Sequence, residues 1–215
     1  MNRERLELAL KEYESCNLQR HEVDGKDHIG YGILLEDTIL PDEILEYLGV
    51  EDEDDIQEIT QEQAEWLFDF FVDVAHQDAL VIYTGDVFNA LTPIRQEVLV
   101  NLSYNLGINK LRAFRRMNKA VLVGDWNGVS LEMLDSKAAK QTPGTKIRYE
   151  RLAAAFTEDD EKHLELPTLF DSPADLAESE PTEDVSDEGL KSADTVDLLK
   201  GIQASLNELL RRAGG

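Results

Sequence analysis

Between Glu12 and Glu36 the stretch EYESCNLQRHEVDGKDHIGYGILLE gathers Glu12, Glu14, Glu22, Asp24, Asp27 and His28. It runs from the end of a helical pattern into a hairpin pattern. Acids crowded around such a turn point to proton-transfer chemistry. Cleavage of a glycosidic bond uses one protonated carboxyl to protonate the leaving oxygen, and a second group to stabilise the cationic transition state or deliver water. Glu14 closes the helical pattern and suits the proton donor, because a carboxyl at an apolar cleft keeps its proton more readily than one in water. Glu12, two residues earlier, points to a different helix face and reads as a solvated charge. Imidazole titrates near neutral pH, so His28 adds a candidate base or nucleophile. The spacing of His21, Glu22, Asp24 and His28 matches no standard metal motif, and no metal or cofactor is expected.

The elements that must hold these groups follow from pattern. Residues 3–14 carry Leu6, Leu8, Leu10 and Tyr13 among charges, a short amphipathic helix. Residues 28–36, HIGYGILLE, suit a tight hairpin. Pro41 opens a helical turn, and EDEDD after it reads as a solvated loop. Thr60 and Gln63 have capping-box spacing ahead of the stripe Ala64, Leu67, Phe68, Phe71 and Val72, with Trp66 and Phe70 widening the same face. Residues 79–90 are ambiguous, broken by Gly85. Thr92 and Pro93 open a further helix ending near Gly107. Short helices are expected over 109–117, 118–123 and 125–135, and a last one from Pro143 to Phe156. The expected class is α+β, predominantly α, with one small sheet near the N-terminus.

At this point the chain resembles the phage-type lysozymes, the muramidases of glycoside hydrolase family 24. The resemblance rests on Glu14, Leu18, Glu22 and Ile29-Gly30-Tyr31-Gly32, then on EITQEQAEWLFDFFVDVA, LTPIRQEVLVNLSYNLG, FRRMNKAVLVGDW and QTPGTKIRYERLAAAF in that order. It spans roughly residues 3–156. The resemblance implies a phage-lysozyme-like fold: a small β-hairpin lobe and a helical C-terminal lobe joined by a long helix. It also implies peptidoglycan as substrate, cut at the β-1,4 bond between N-acetylmuramic acid and N-acetylglucosamine. Glu14 falls on the family's acid. Counting back from IGYG, the family's catalytic Asp falls on Glu22, one residue closer to Glu14 than in the family; Asp24 is the rival second carboxylate. His28 stands where the family has a Thr that places water, which implies a different way of activating it. Ser15 stands where a Gly normally follows the acid. Gly32, Phe114, Gln141 and Thr142 fall on family cleft positions, and Arg148 on the Arg that pairs with the catalytic Glu. A non-catalytic phage structural protein with a lysozyme body for wall binding or assembly is the alternative.

Composition bounds the partners. The net charge is −24, with 16 acids and 5 Lys or Arg in residues 157–215 and 29 and 16 in residues 1–156. Nucleic-acid binding relies on clustered Lys and Arg, so no nucleic-acid partner is expected. No run reaches the length of a membrane span. The N-terminus lacks the apolar core of a signal peptide, so synthesis in a bacterial host cytoplasm is expected, with action on the wall after release or as part of a virion. Cys16, the sole cysteine, is expected to be small, buried and inert. Residues 157–188 read as an acidic, disordered linker. Residues 189–215 carry Val196, Leu199, Ile202, Leu206, Leu209 and Leu210 at helical spacing. That stripe fits docking on the body, self-association, or a phage tail or capsid protein.

Overall fold

The computed structural model describes residues 1–23, 25–35 and 40–164. Residues 165–188 of the expected linker and the whole expected C-terminal helix lie outside the described residues, as does Asp24. Helix α1 is Arg3–Glu14, started by Asn2, whose side chain accepts from the amide of Arg5. Three strands follow: β1 Asn17–Val23, β2 Lys26–Gly30 and β3 Ile33–Leu34, an antiparallel sheet in the order β1-β2-β3. Then come α2 (Asp42–Leu48), the long α3 (Gln61–Tyr83), α4 (Gly85–Ala90), α5 (Pro93–Ala113), α6 (Arg115–Val123), α7 (Trp126–Leu134) and α8 (Pro143–Glu158). A mostly helical body with one small antiparallel sheet is the α+β class expected. No described helix is long and apolar enough to cross a membrane.

Sequence signals are visible at the helix boundaries. Thr60 and Gln63 make both bonds of a capping box at the start of α3. Thr92 caps α5 with Pro93 in its first turn, and Gly107 (φ 72) breaks α5 where the pattern ended. The structure fills two gaps and corrects one expectation. The strand β1 was not foreseen, because NLQRHEV lacks apolar alternation. It is held by pairing with β2 and, on its other edge, by Arg20 N to Gln57 O (2.8 Å) and Ile59 N to Leu18 O (2.9 Å). The ambiguous 79–90 stretch divides, its first part continuing α3 and the rest forming α4. The break among the short helices falls at Phe114, where the helical φ/ψ is lost, rather than between 117 and 118.

α3 is the spine. It buries Ala64, Leu67, Phe68, Val72, Ala75, Ala79 and Tyr83, and each large apolar side chain so covered contributes about 1.5–3 kcal/mol. Phe68 packs between the rings of Tyr31 (5.0 Å) and Tyr104 (5.8 Å), and the Tyr104 hydroxyl donates to the Tyr31 carbonyl at 2.8 Å. The turn between β2 and β3 is thereby fixed to α3 and α5. Burial, reinforced by the Glu65 carboxylate at 2.6 Å, pushes the Tyr31 hydroxyl up to about 12. At the other end of the body, buried Glu97 accepts from the Asn2 amide and from Arg5 Nε and Nη2, and Arg5 also pairs with Glu161. The body runs past Phe156: α8 continues to Glu158, and Leu164 is buried.

Asp78 is a charged group inside α3, 6% exposed. Burial pushes its carboxyl up to about 6, against an opposing pull from Arg112. A value raised in the folded state favours the protonated form there. That contribution is complete below the unfolded value of about 3.9 and is lost as pH rises through about 6, costing roughly 2–3 kcal/mol at pH 7.5. Asp78→Asn is therefore expected to raise the urea midpoint at pH 7.5 and to leave it unchanged at pH 4; equal midpoint shifts at both values would contradict this.

Candidate active site

Glu14 is the last residue of α1. The next residue, Ser15, takes φ 46 and ψ 153, a conformation that glycine adopts most easily. This sharp exit leaves the Glu14 side chain beside the sheet. Its Oε1 accepts from Arg148 Nη1 at 2.5 Å. Arg148, on α8, is 4% exposed. Its Nε and Nη2 both donate to Asn101 Oδ1, at 3.1 and 2.9 Å. The guanidinium centre also lies 4.7 Å from the Tyr13 ring centroid. One helix end, the middle of α5 and the first half of α8 thus converge on one carboxylate. Oε1 is committed to the arginine, and Oε2 is the carboxylate's other oxygen.

Oε2 meets the backbone of Gly32. A Cβ built on Gly32 would fall 2.8 Å from it, and Gly32 has φ +72. Glycine is required twice over, for the turn and for the approach of the carboxylate. Gly32→Ala is expected to destabilise the protein by about 1–2 kcal/mol and to displace Glu14 from Arg148. A thermal melt indistinguishable from wild type would contradict this.

Glu14 opens on a cleft of 530 Å³. The end of α1 and the start of β1 supply Glu14, Ser15, Cys16 and Asn17. The sheet supplies His21, Val23, His28 and Gly32, and α5 supplies Tyr104 and Asn105. The strand register decides which side chains face it. His21 pairs with His28, Glu22 with Asp27, and Val23 with Lys26. Successive residues of a strand point to opposite faces, so His21, Val23 and His28 share the cleft face. Glu22 and Asp27 share the other, where Asp27 Oδ2 accepts from Arg20 Nε at 2.7 Å. Glu22 is exposed there and does not line the cleft.

Of the residues read from the sequence, Glu14, His28, Gly32 and Arg148 come together at this site. Glu22 does not join them, because the register turns it to the far face. Phe114 packs on the core at the α5–α6 junction. Thr142 is spent as the N-cap of α8, in a capping box with Thr145. Gln141 is exposed just before it, and none of these three lines the cleft. Cys16 is corrected: it is exposed on the cleft wall, not buried. Its thiol is pushed up by partial loss of water, so it is a poorer thiolate than a free one. Among the described residues no three His, Cys, Asp or Glu side chains are placed to hold a metal ion.

Asn101, Tyr104, Asn105 and His21 were missed. For Asn101 a signal existed: it interrupts the apolar face of α5 and is 1% exposed, and a buried amide needs a partner. His21 carried no signal without the strand register. No protein-family model matches this chain, and no curated protein matches it either.

Proposed function

We propose that this chain is a peptidoglycan hydrolase of the phage-lysozyme type, a muramidase cutting the β-1,4 bond between N-acetylmuramic acid and N-acetylglucosamine. The observation that carries the proposal is the state of Glu14: one oxygen held by a buried arginine, the other against Gly32 in an open cleft. Support also comes from the ordered sequence blocks and from a small sheet joined by a long helix to a helical half. In the reaction, Glu14 Oε2 gives its proton to the glycosidic oxygen as the C1–O bond breaks. Arg148 holds the carboxylate left behind. A water attacks C1 as that bond breaks, giving its proton to the imidazole of His28.

The proposal places the protein on the bacterial wall, after release from a host cytoplasm or within a phage particle. Residues 189–215 would serve to attach it to itself or to a tail or capsid protein. The test is incubation with purified peptidoglycan, followed by turbidity and by identification of the new reducing ends. Reducing muramic acid ends from the wild type, absent with Glu14→Gln, is the expected result. An intact wall sinks the proposal. One observation favours a second reading, a non-catalytic wall-binding protein of a phage particle: among the described residues, Glu14 is the cleft's sole carboxylate. Co-sedimentation with peptidoglycan without release of reducing ends would select it.

A further inference from the structure

We infer that His21 is a working residue of this cleft, acting with His28 as a histidine pair that holds and deprotonates the attacking water in place of a second carboxylate. The inference rests on the glycosidase reading above and names the groups on its water side. His21 and His28 are direct cross-strand partners on the cleft face of β1 and β2, with ring centroids 6.2 Å apart. Each ring is anchored in the same way: His21 Nδ1 lies 3.1 Å from the Gln19 carbonyl, and His28 Nδ1 lies 2.9 Å from the Lys26 carbonyl. A ring nitrogen against a carbonyl oxygen must be the one that carries hydrogen. In the neutral rings both Nε2 atoms are therefore lone-pair acceptors, the form needed to take hydrogen from water.

Among the described residues, the other carboxylates nearby do not compete. Glu22 and Asp27 lie on the far face of the sheet, and Asp27 is engaged by Arg20. Val23, on the cleft face beside His21, cannot accept a proton. Glu14 is bound to Arg148 and serves the leaving oxygen. In the step itself the water oxygen bonds to C1 as the glycosidic C1–O bond breaks. One water proton passes to His28 Nε2, and the leaving oxygen takes the proton of Glu14 Oε2. His21 Nε2 accepts a hydrogen bond from the remaining O–H and aims the lone pair, so His21 is a water-positioning residue. Solvent then returns the proton from His28 to Glu14.

The test compares His21→Phe, His21→Gln, His28→Phe, the double Phe variant and Glu22→Gln on soluble peptidoglycan fragments. kcat, KM, melting temperature and the anomer of the first-formed product are read for each. Losses of about 10-fold in kcat for His21→Phe and about 100-fold for His28→Phe are expected, at unchanged KM and melting temperature. His21→Gln keeps more activity than His21→Phe, because its amide oxygen can accept the same hydrogen bond. The double variant is no slower than His28→Phe alone, since positioning has no value once the base is gone. Glu22→Gln stays near wild type, and the product anomer is inverted. Wild-type kcat in His21→Phe, a His21→Gln as slow as His21→Phe, or a loss in Glu22→Gln equal to that of His28→Phe would overturn the inference. A wild type no faster than Glu14→Gln removes the glycosidase reading itself, and this inference with it.

Discussion

Glutamine at position 14 is expected to slow peptidoglycan cleavage by about 10³-fold, within the range that a positioned general acid supplies. The amide is nearly isosteric with the carboxyl. Its oxygen can still accept from Arg148 Nη1, so the ion pair becomes a hydrogen bond from a charged donor to a neutral acceptor. What disappears is the acidic proton next to Gly32. Because Oε1 is occupied by the arginine, no other oxygen of that side chain can take over. The leaving sugar must then depart as an alkoxide, or take its proton from water. The expected signature is a fall in kcat with KM nearly constant, because the proton is given only in the transition state. A rise in KM with kcat preserved would instead assign Glu14 to binding.

The second large effect is expected at Arg148. Its side chain is 5% exposed against 18% for Glu14. Replacing it by leucine leaves Glu14 and the Asn101 amide oxygen without their donor beneath the cleft. Removing one partner of a buried ion pair costs about 3–5 kcal/mol, far more than the pair itself contributes over an apolar substitute. The loss in urea stability is expected near the lower figure, because Glu14 retains some contact with water. Arg148→Lys is expected to recover only a small part. A single ammonium cannot donate to Glu14 Oε1 and Asn101 Oδ1 in the forked geometry of three separate N–H groups. A leucine variant with an unchanged urea midpoint would show that the triad is not structurally coupled.

These predictions depend on residues that were legible in the sequence to unequal degrees. The helices were legible where caps marked them: Thr60 with Gln63, Thr92 with Pro93, Thr142 with Pro143. Glu14 was legible because it ends a helical pattern and precedes IGYG. Its partner Arg148 was legible only through the resemblance, since nothing local in KIRYER distinguishes a buried arginine from an exposed one. Glu22 illustrates a limit of a different kind. Spacing along a chain fixes how far apart two groups lie, but in a strand the facing of a side chain depends on parity. A shift of one residue turns every side chain to the other face. The stretch from Glu14 to Glu22 is one residue shorter than the family pattern, and the register carries Glu22 to the back of the sheet while His21 comes to the front. The irregular pairing between Asn17 and His21 is where that parity is set, and no composition or period announces it. Asn101 did leave a trace, as a polar residue interrupting the apolar face of α5, but the stripe identified the helix without it.

The pairing of Glu14 with Arg148 also has a consequence for synthesis. The two residues are 134 positions apart. At about 5–20 residues per second on the ribosome, the glutamate emerges roughly 7–27 s before its arginine. Through that interval α1 and the sheet residues can form locally, but the acid has no counter-ion and its cleft has no floor. Nascent or prematurely terminated chains ending before Arg148 therefore lack the arrangement on which the proposed chemistry depends. Any activity that depends on this pair, the proposed one included, can therefore begin only after residue 148 has been made.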